Sequence, residues 1–125
     1  MTHREQIISN YIEGYNQFDV SKMVKDFADD IVFENIQNNE VSLTLYGIEE
    51  FRAQAEAATR YFLEREQKIK SFRHENDRTE VEIAYFGILA VDLPNGMKKG
   101  QELNLNGKSV FEFRHDKIIR LTDIS

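Results

Sequence analysis

Asn106-Gly107-Lys108-Ser109-Val110-Phe111-Glu112-Phe113-Arg114-His115-Asp116-Lys117-Ile118-Ile119-Arg120 reads as strand, tight turn and strand. β-Branched and aromatic residues fill both arms, and His115-Asp116 supplies turn chemistry between them. Asn106-Gly107 admits two readings, a tight hairpin turn or a bulge that bends one long strand. The bulge is preferred, because two turns so close together would leave a very short strand between them.

Outward from this stretch the pattern stays β back to Glu66. Strands are expected near Lys68 to Glu75, Thr79 to Leu93, Gly100 to Phe113 and Lys117 to Ile124, separated by Asn76-Asp77, Pro94-Asn95-Gly96 and His115-Asp116. Short links favour antiparallel pairing. The first half is mainly helical. Ile7, Ile8, Tyr11, Ile12, Tyr15 and Phe18 form one apolar stripe on a helix from about Arg4 to Gln17. Asp19 is the expected N-cap of a second helix carrying Val20, Met23, Val24 and Phe27, which Asp29-Asp30 ends. Ile31 to Ile36 and Val41 to Tyr46 read as strands. After Gly47, the spacing of Ile48, Phe51, Ala55, Ala58 and Phe62 returns to a helix, with Glu49 and Glu50 in its first turn. Helices early and strands late predict an α+β fold, three N-terminal helices packed on a strongly curved, mainly antiparallel sheet, as one domain over residues 1–125.

Composition narrows the function. The chain has 125 residues with 16 Lys and Arg against 22 Asp and Glu, a net charge of -6, which excludes nucleic acid as an expected partner. No Cys is present, so thiolate chemistry, disulfides and Cys-type zinc sites are excluded. His3, His74 and His115 lack ligand spacing, so no metal site is expected, and no nicotinamide or flavin motif appears, so no cofactor is expected. The N-terminus shows neither a signal peptide nor a span, giving a cytoplasmic expectation without membrane partners. The run Arg60 to Lys70 reads as solvated surface. Phe86 and Ile88 fall on the outer face of their strand, which predicts burial by a second copy in a homodimer.

Tyr11 through Asp30, the strand with Phe33 and Asn35, the helix after Gly47 and the quoted C-terminal stretch together resemble the SnoaL-like and ketosteroid-isomerase-like branch of the nuclear transport factor two superfamily. The resemblance covers nearly the whole chain. It rests most specifically on Phe27-Ala28-Asp29-Asp30 entering the first strand, and on Phe111-Glu112-Phe113 followed by a turn and Lys117-Ile118-Ile119. It implies a conical α+β fold with an apolar pocket for a small hydrophobic molecule. Activities in this superfamily are diverse, so fold and function are separate questions.

The resemblance also implies roles by position. Tyr11 falls on the isomerase's oxyanion-binding tyrosine, a phenol able to donate to developing enolate charge. Asn35 falls where that enzyme has its carboxylate base, and an amide has no basic electron pair. Ser109 falls where it has a protonated Asp. Glu34 neighbours Asn35, but strand alternation sends it to the other face. The candidate pocket residues are therefore Tyr11, Tyr15, Phe33, Asn35, Phe51, Tyr85, Ser109 and Phe111, with the catalytic group unassigned. Two functions stay open: a SnoaL-like small-molecule-binding protein with cofactor-free isomerase, cyclase or hydratase chemistry, or a non-catalytic dimeric scaffold whose interior is filled by its own side chains.

Overall fold

Helix α1 spans His3–Asn16 in the computed structural model, which describes residues 1–125. Its stripe buries Ile7, Ile8, Tyr11 and Ile12, as the spacing requires. Thr2 caps the helix: its side chain accepts from Glu5 N–H, and the Glu5 carboxylate reaches back to the Thr2 amide. Asp19 caps α2 by accepting from Lys22 N–H, but α2 covers only Val20–Met23. The expected continuation through Phe27 fails. Phe27 instead opens strand β1 (Phe27–Gln37), pairing in parallel with Ile118. Long-range pairing overrides the local helical spacing there.

Strand β2 (Glu40–Tyr46) returns antiparallel to β1, and helix α3 (Ile48–Ala58) follows, so the third helix comes after two strands. At the junction Gly47 has φ +88 while its amide donates to Ile31 C=O at 2.7 Å, a backbone setting that glycine adopts without strain. The expected helical position Phe62 lies outside α3. A 3-10 turn at Thr59–Tyr61 intervenes, and Phe62 starts β3 (Phe62–Glu75), six residues before the expected Lys68. Strands β4 (Arg78–Leu89), β5 (Glu102–Arg114) and β6 (Lys117–Ile124) complete one six-stranded mixed sheet in the order β2-β1-β6-β5-β4-β3. Only β1 and β6 pair in parallel. Strand β4 stops four residues short of the expected Leu93. No helix is long and apolar enough to cross a membrane.

The quoted stretch folds as one strand, a turn and a second strand, with His115 at φ 57 in the turn. Asn106-Gly107 makes no hairpin, and the β4–β5 register runs through it without the expected bulge, Ile83 facing Gly107. Close approach explains the glycine instead. A Cβ at Gly107 would lie 2.6 Å from the Ile124 carbonyl oxygen on β6. Gly107→Ala is therefore expected to cost roughly 1–3 kcal/mol by forcing β5 and β6 apart. Urea unfolding checks this, and a loss indistinguishable from zero would contradict the contact.

The core lies between the helices and the inner sheet face, where Ile8, Ile31, Val81, Phe111 and Leu121 are fully buried. Each such side chain contributes roughly 1.5–3 kcal/mol relative to exposure. Tyr11 stacks on Phe27 at 5.7 Å and meets Phe111 edge-on at 5.6 Å, which seats α1 against both β1 and β5. On the opposite sheet face Arg120 bridges Glu34 at 3.0 Å and Glu112 at 3.7 Å. Glu34 thus faces outward, as alternation requires.

Candidate functional site

Three neighbouring strands place Asn35, Asp123 and Ser109 side by side. Asn35 on β1 registers with Asp123 on β6, and Asp123 registers with Ser109 on β5. Registered positions on adjacent strands share a face, so these polar groups form a row across the sheet. The Ser109 hydroxyl donates to Asp123 Oδ1 at 2.7 Å. The Asn35 amide turns the other way along the sheet and donates to the Ser42 hydroxyl at 2.8 Å.

Two cavities meet at this row. The first, about 170 Å³, lies between the helices and the sheet and is walled mainly by apolar side chains. Tyr11, Tyr15, Phe33, Asn35, Phe51 and Asp123 all line it. The second, about 210 Å³, opens at the end of β5 and β6 and is lined by Tyr15, Asn35, Tyr85, Ser109 and Asp123 among others. Tyr15, Asn35 and Asp123 belong to both walls. Of the eight positions expected at a pocket, only Phe111 lines neither cavity: it is fully buried behind Tyr11. Its inward direction was correctly read, but the Tyr11 ring stands in front of it.

Electrostatics distinguish the groups in these walls. Burial lifts the Asp123 pKa to about 6, and the Ser109 hydrogen bond opposes part of that rise. A carboxyl of this kind gives and takes a proton near neutrality. Burial also raises Tyr11 well above the usual phenol range, with the Asp123 and Tyr15 charges adding and Arg65 opposing. Tyr15 rises for the same first reason and donates its O–H to Tyr85 at 3.1 Å. Tyr11 and Tyr15 are therefore neutral phenols, able to donate hydrogen bonds, wherever Asp123 titrates. That combination suits chemistry in which a carboxylate removes a proton and a phenol steadies the resulting oxygen charge.

Sequence reasoning passed over two members of this site. Asp123 escaped because the parallel β1–β6 pairing joins the two ends of the sheet's chain order, which no local pattern reveals. The available signal was alternation: Leu121 is buried, so Asp123 two residues on shares its face. Arg65 was read as solvated surface within Arg60 to Lys70, yet it is 5% exposed. It belongs to β3, in register with Gly87 on β4 and on the inward-facing set of alternate positions. Its Nε–H donates to Tyr15 C=O at 2.9 Å, and its guanidinium carbon lies 3.8 Å from the Tyr15 ring centre. His74 lies away from both cavities, with Nδ1 2.9 Å from the Thr79 hydroxyl and Nε2 2.6 Å from Glu5 Oε2.

Comparison with known proteins supports this architecture. The family model described as a SnoaL-like domain matches residues 8–121. No protein with a curated description matches the sequence. Among solved structures, one described as a candidate SnoaL-like polyketide cyclase from a Jannaschia species aligns with TM-score 0.81 at 12% identity, covering 97% of this chain and 83% of that one. An uncharacterised protein from Novosphingobium aromaticivorans, described as having a cystatin fold, aligns with TM-score 0.79 at 21% identity, covering 100% and 99%. A protein of ketosteroid isomerase-like fold from Catenulispora acidiphila, solved with trimethylamine, aligns with TM-score 0.77 at 14% identity, covering 94% and 83%. At these identities the likeness is one of fold.

Proposed function

The chain belongs to the SnoaL-like domain family, and from that premise we propose that it binds a small, largely apolar molecule between its helices and sheet and moves a proton on it without a cofactor. Asp123 is the acid–base group and Tyr11 the oxyanion donor. The observation that carries this reading is the Asp123 carboxyl, lining both cavities with its pKa raised to about 6. It also answers the difficulty posed by Asn35. The position that holds the base in ketosteroid isomerase carries an amide here, but a carboxylate stands beside it on β6. Isomerisation and cyclisation through an enolate both need this pair of roles. The SnoaL-like neighbour described as a candidate polyketide cyclase is consistent with a carbonyl-bearing substrate.

Size limits the occupant. An apolar cavity of about 150 Å³ holds benzene, so the first cavity, about 170 Å³, accepts a single ring or a short chain with the walls as they stand. Thermal unfolding against single-ring ketones, aromatic acids and short 1,3-diketones tests the reading, because a ligand that binds only the folded chain stabilises it. At about 100 times the dissociation constant the gain is roughly 2.7 kcal/mol. A shift confined to one chemical class and lost in Tyr11→Phe is the expected result. No shift with any compound would favour the scaffold reading, for which a cavity below the usual roughly 300–1,000 Å³ of ligand clefts already speaks.

We also propose a homodimer through the outer sheet face. Its support is the half-buried Phe86 and Ile88, which stand on the β4 face turned away from the helices. Light scattering after size exclusion should give the mass of two chains, and the mass of one chain would remove the proposal.

A further inference from the structure

The Arg65 guanidinium is a buried cation with no anion. It is 5% exposed, joins none of the chain's ion pairs, and its Nη2 has no hydrogen-bond partner. Burying a charge is costly unless it is paired and hydrogen-bonded. Here the compensation is partial: one bond to the Tyr15 carbonyl, and the ring faces of Tyr15 at 3.8 Å and Phe18 at 4.6 Å. Asp123 lines the same cavity yet forms no ion pair with it. The cation is thus fixed in the wall of a mainly apolar chamber whose other polar groups include Asn35, Gln54 and Asp123, its planar fork held in one orientation by stacking.

We infer that the occupant of this chamber carries a carboxylate, which pairs with Arg65. The inference rests on the ligand-binding reading above and adds the substrate class: a small acid, one ring or a short chain in length. Two features favour a carboxylate over a neutral carbonyl. With Nε given to the Tyr15 carbonyl, the two terminal nitrogens remain, a pair of N–H donors that matches two carboxylate oxygens. A ligand anion would also supply the countercharge that the chain itself withholds. Asp123 and Arg65 then divide the work, the one reaching the reacting carbon and the other holding the far end of the molecule, so that Arg65 orients the substrate and Asp123 acts on it.

Binding of benzoate and of benzamide, measured by NMR titration of the purified chain, separates charge recognition from shape, since the two differ little in size. Wild type should bind benzoate about tenfold or more tightly than benzamide. Arg65→Met should lose that preference while still binding benzamide, and Arg65→Lys should recover part of it. Asp123→Asn should keep it. A benzoate preference that is absent in wild type, or that survives Arg65→Met, overturns the inference and leaves the ligand-binding reading standing. If neither compound binds wild type, the ligand-binding reading fails and the inference fails with it. Should Arg65→Met not fold, the wild-type comparison and Arg65→Lys still decide.

Discussion

Asp123→Asn should make the protein more stable at pH 8, by about 2 kcal/mol, while leaving stability at pH 4 nearly unchanged. The folded chain holds the Asp123 proton more tightly than the unfolded chain does, with a pKa of about 6 against an ordinary 3.8. A raised carboxyl favours folding below the ordinary value, loses that advantage as pH climbs through about 6, and carries its full cost above. Two units correspond to about 3 kcal/mol, reduced here because the Asp123 residue keeps part of its surface accessible to solvent. Asn retains an acceptor for the Ser109 hydroxyl and brings no charge. Thermal melts at both pH values check the result, with a rise on the order of 5–10 °C expected at pH 8 alone. A variant less stable than wild type at pH 8, or one stabilised equally at both, would show that Asp123 is not held against its own preference. Stability gained by removing a group is the mark of a side chain kept for function.

Phe111→Ala should cost about 3–5 kcal/mol, the usual range for emptying a buried Phe site. Phe111 is fully buried in the last third of β5 and meets Tyr11 edge-on at 5.6 Å. Its loss would remove the surface against which α1 holds Tyr11 in the cavity wall. Small domains have only about 5–15 kcal/mol in all, so the variant should unfold at much lower urea, and any proton-transfer activity should fall with it. A cost below about 1 kcal/mol would mean that α1 is held elsewhere, which the packing of Tyr11 between Phe27 and Phe111 contradicts.

What could be read from residues alone follows the range of the forces involved. The α1 stripe from Ile7 to Ile12 and the Asp19 cap were legible because a helix repeats over a few residues and its cap is local. The β5–β6 hairpin was legible for the same reason, since its turn lies between its arms. Phe27 was misplaced because helical spacing in α2 runs straight into a residue that β6 recruits from the far end of the chain. Arg65 was misread because charged neighbours at Glu64, Glu66 and Lys68 mask a strand whose alternate positions face inward. The positions singled out by resemblance lie together: Tyr11 and Asn35 share one cavity, and Asn35 and Ser109 the other. The carboxylate between them needed the parallel pairing of the first and last strands.

That carboxylate is the centre of the account, and deuterium incorporation from D2O into the α-methylene groups of cyclopentanone, a single-ring ketone, followed by proton NMR, tests it most directly. The exchange needs only a base near the carbon and a donor near the oxygen, so it does not require the natural substrate. Wild type should catalyse it with a rate that rises through about pH 6 and then levels, as ionisation of Asp123 dictates. Asp123→Asn should lose 100-fold or more, about the lower bound for removing a positioned general base, while remaining folded. Exchange at the same rate in Asp123→Asn, or a wild-type rate without the inflection near pH 6, would contradict the assignment of Asp123 as the proton-transfer group.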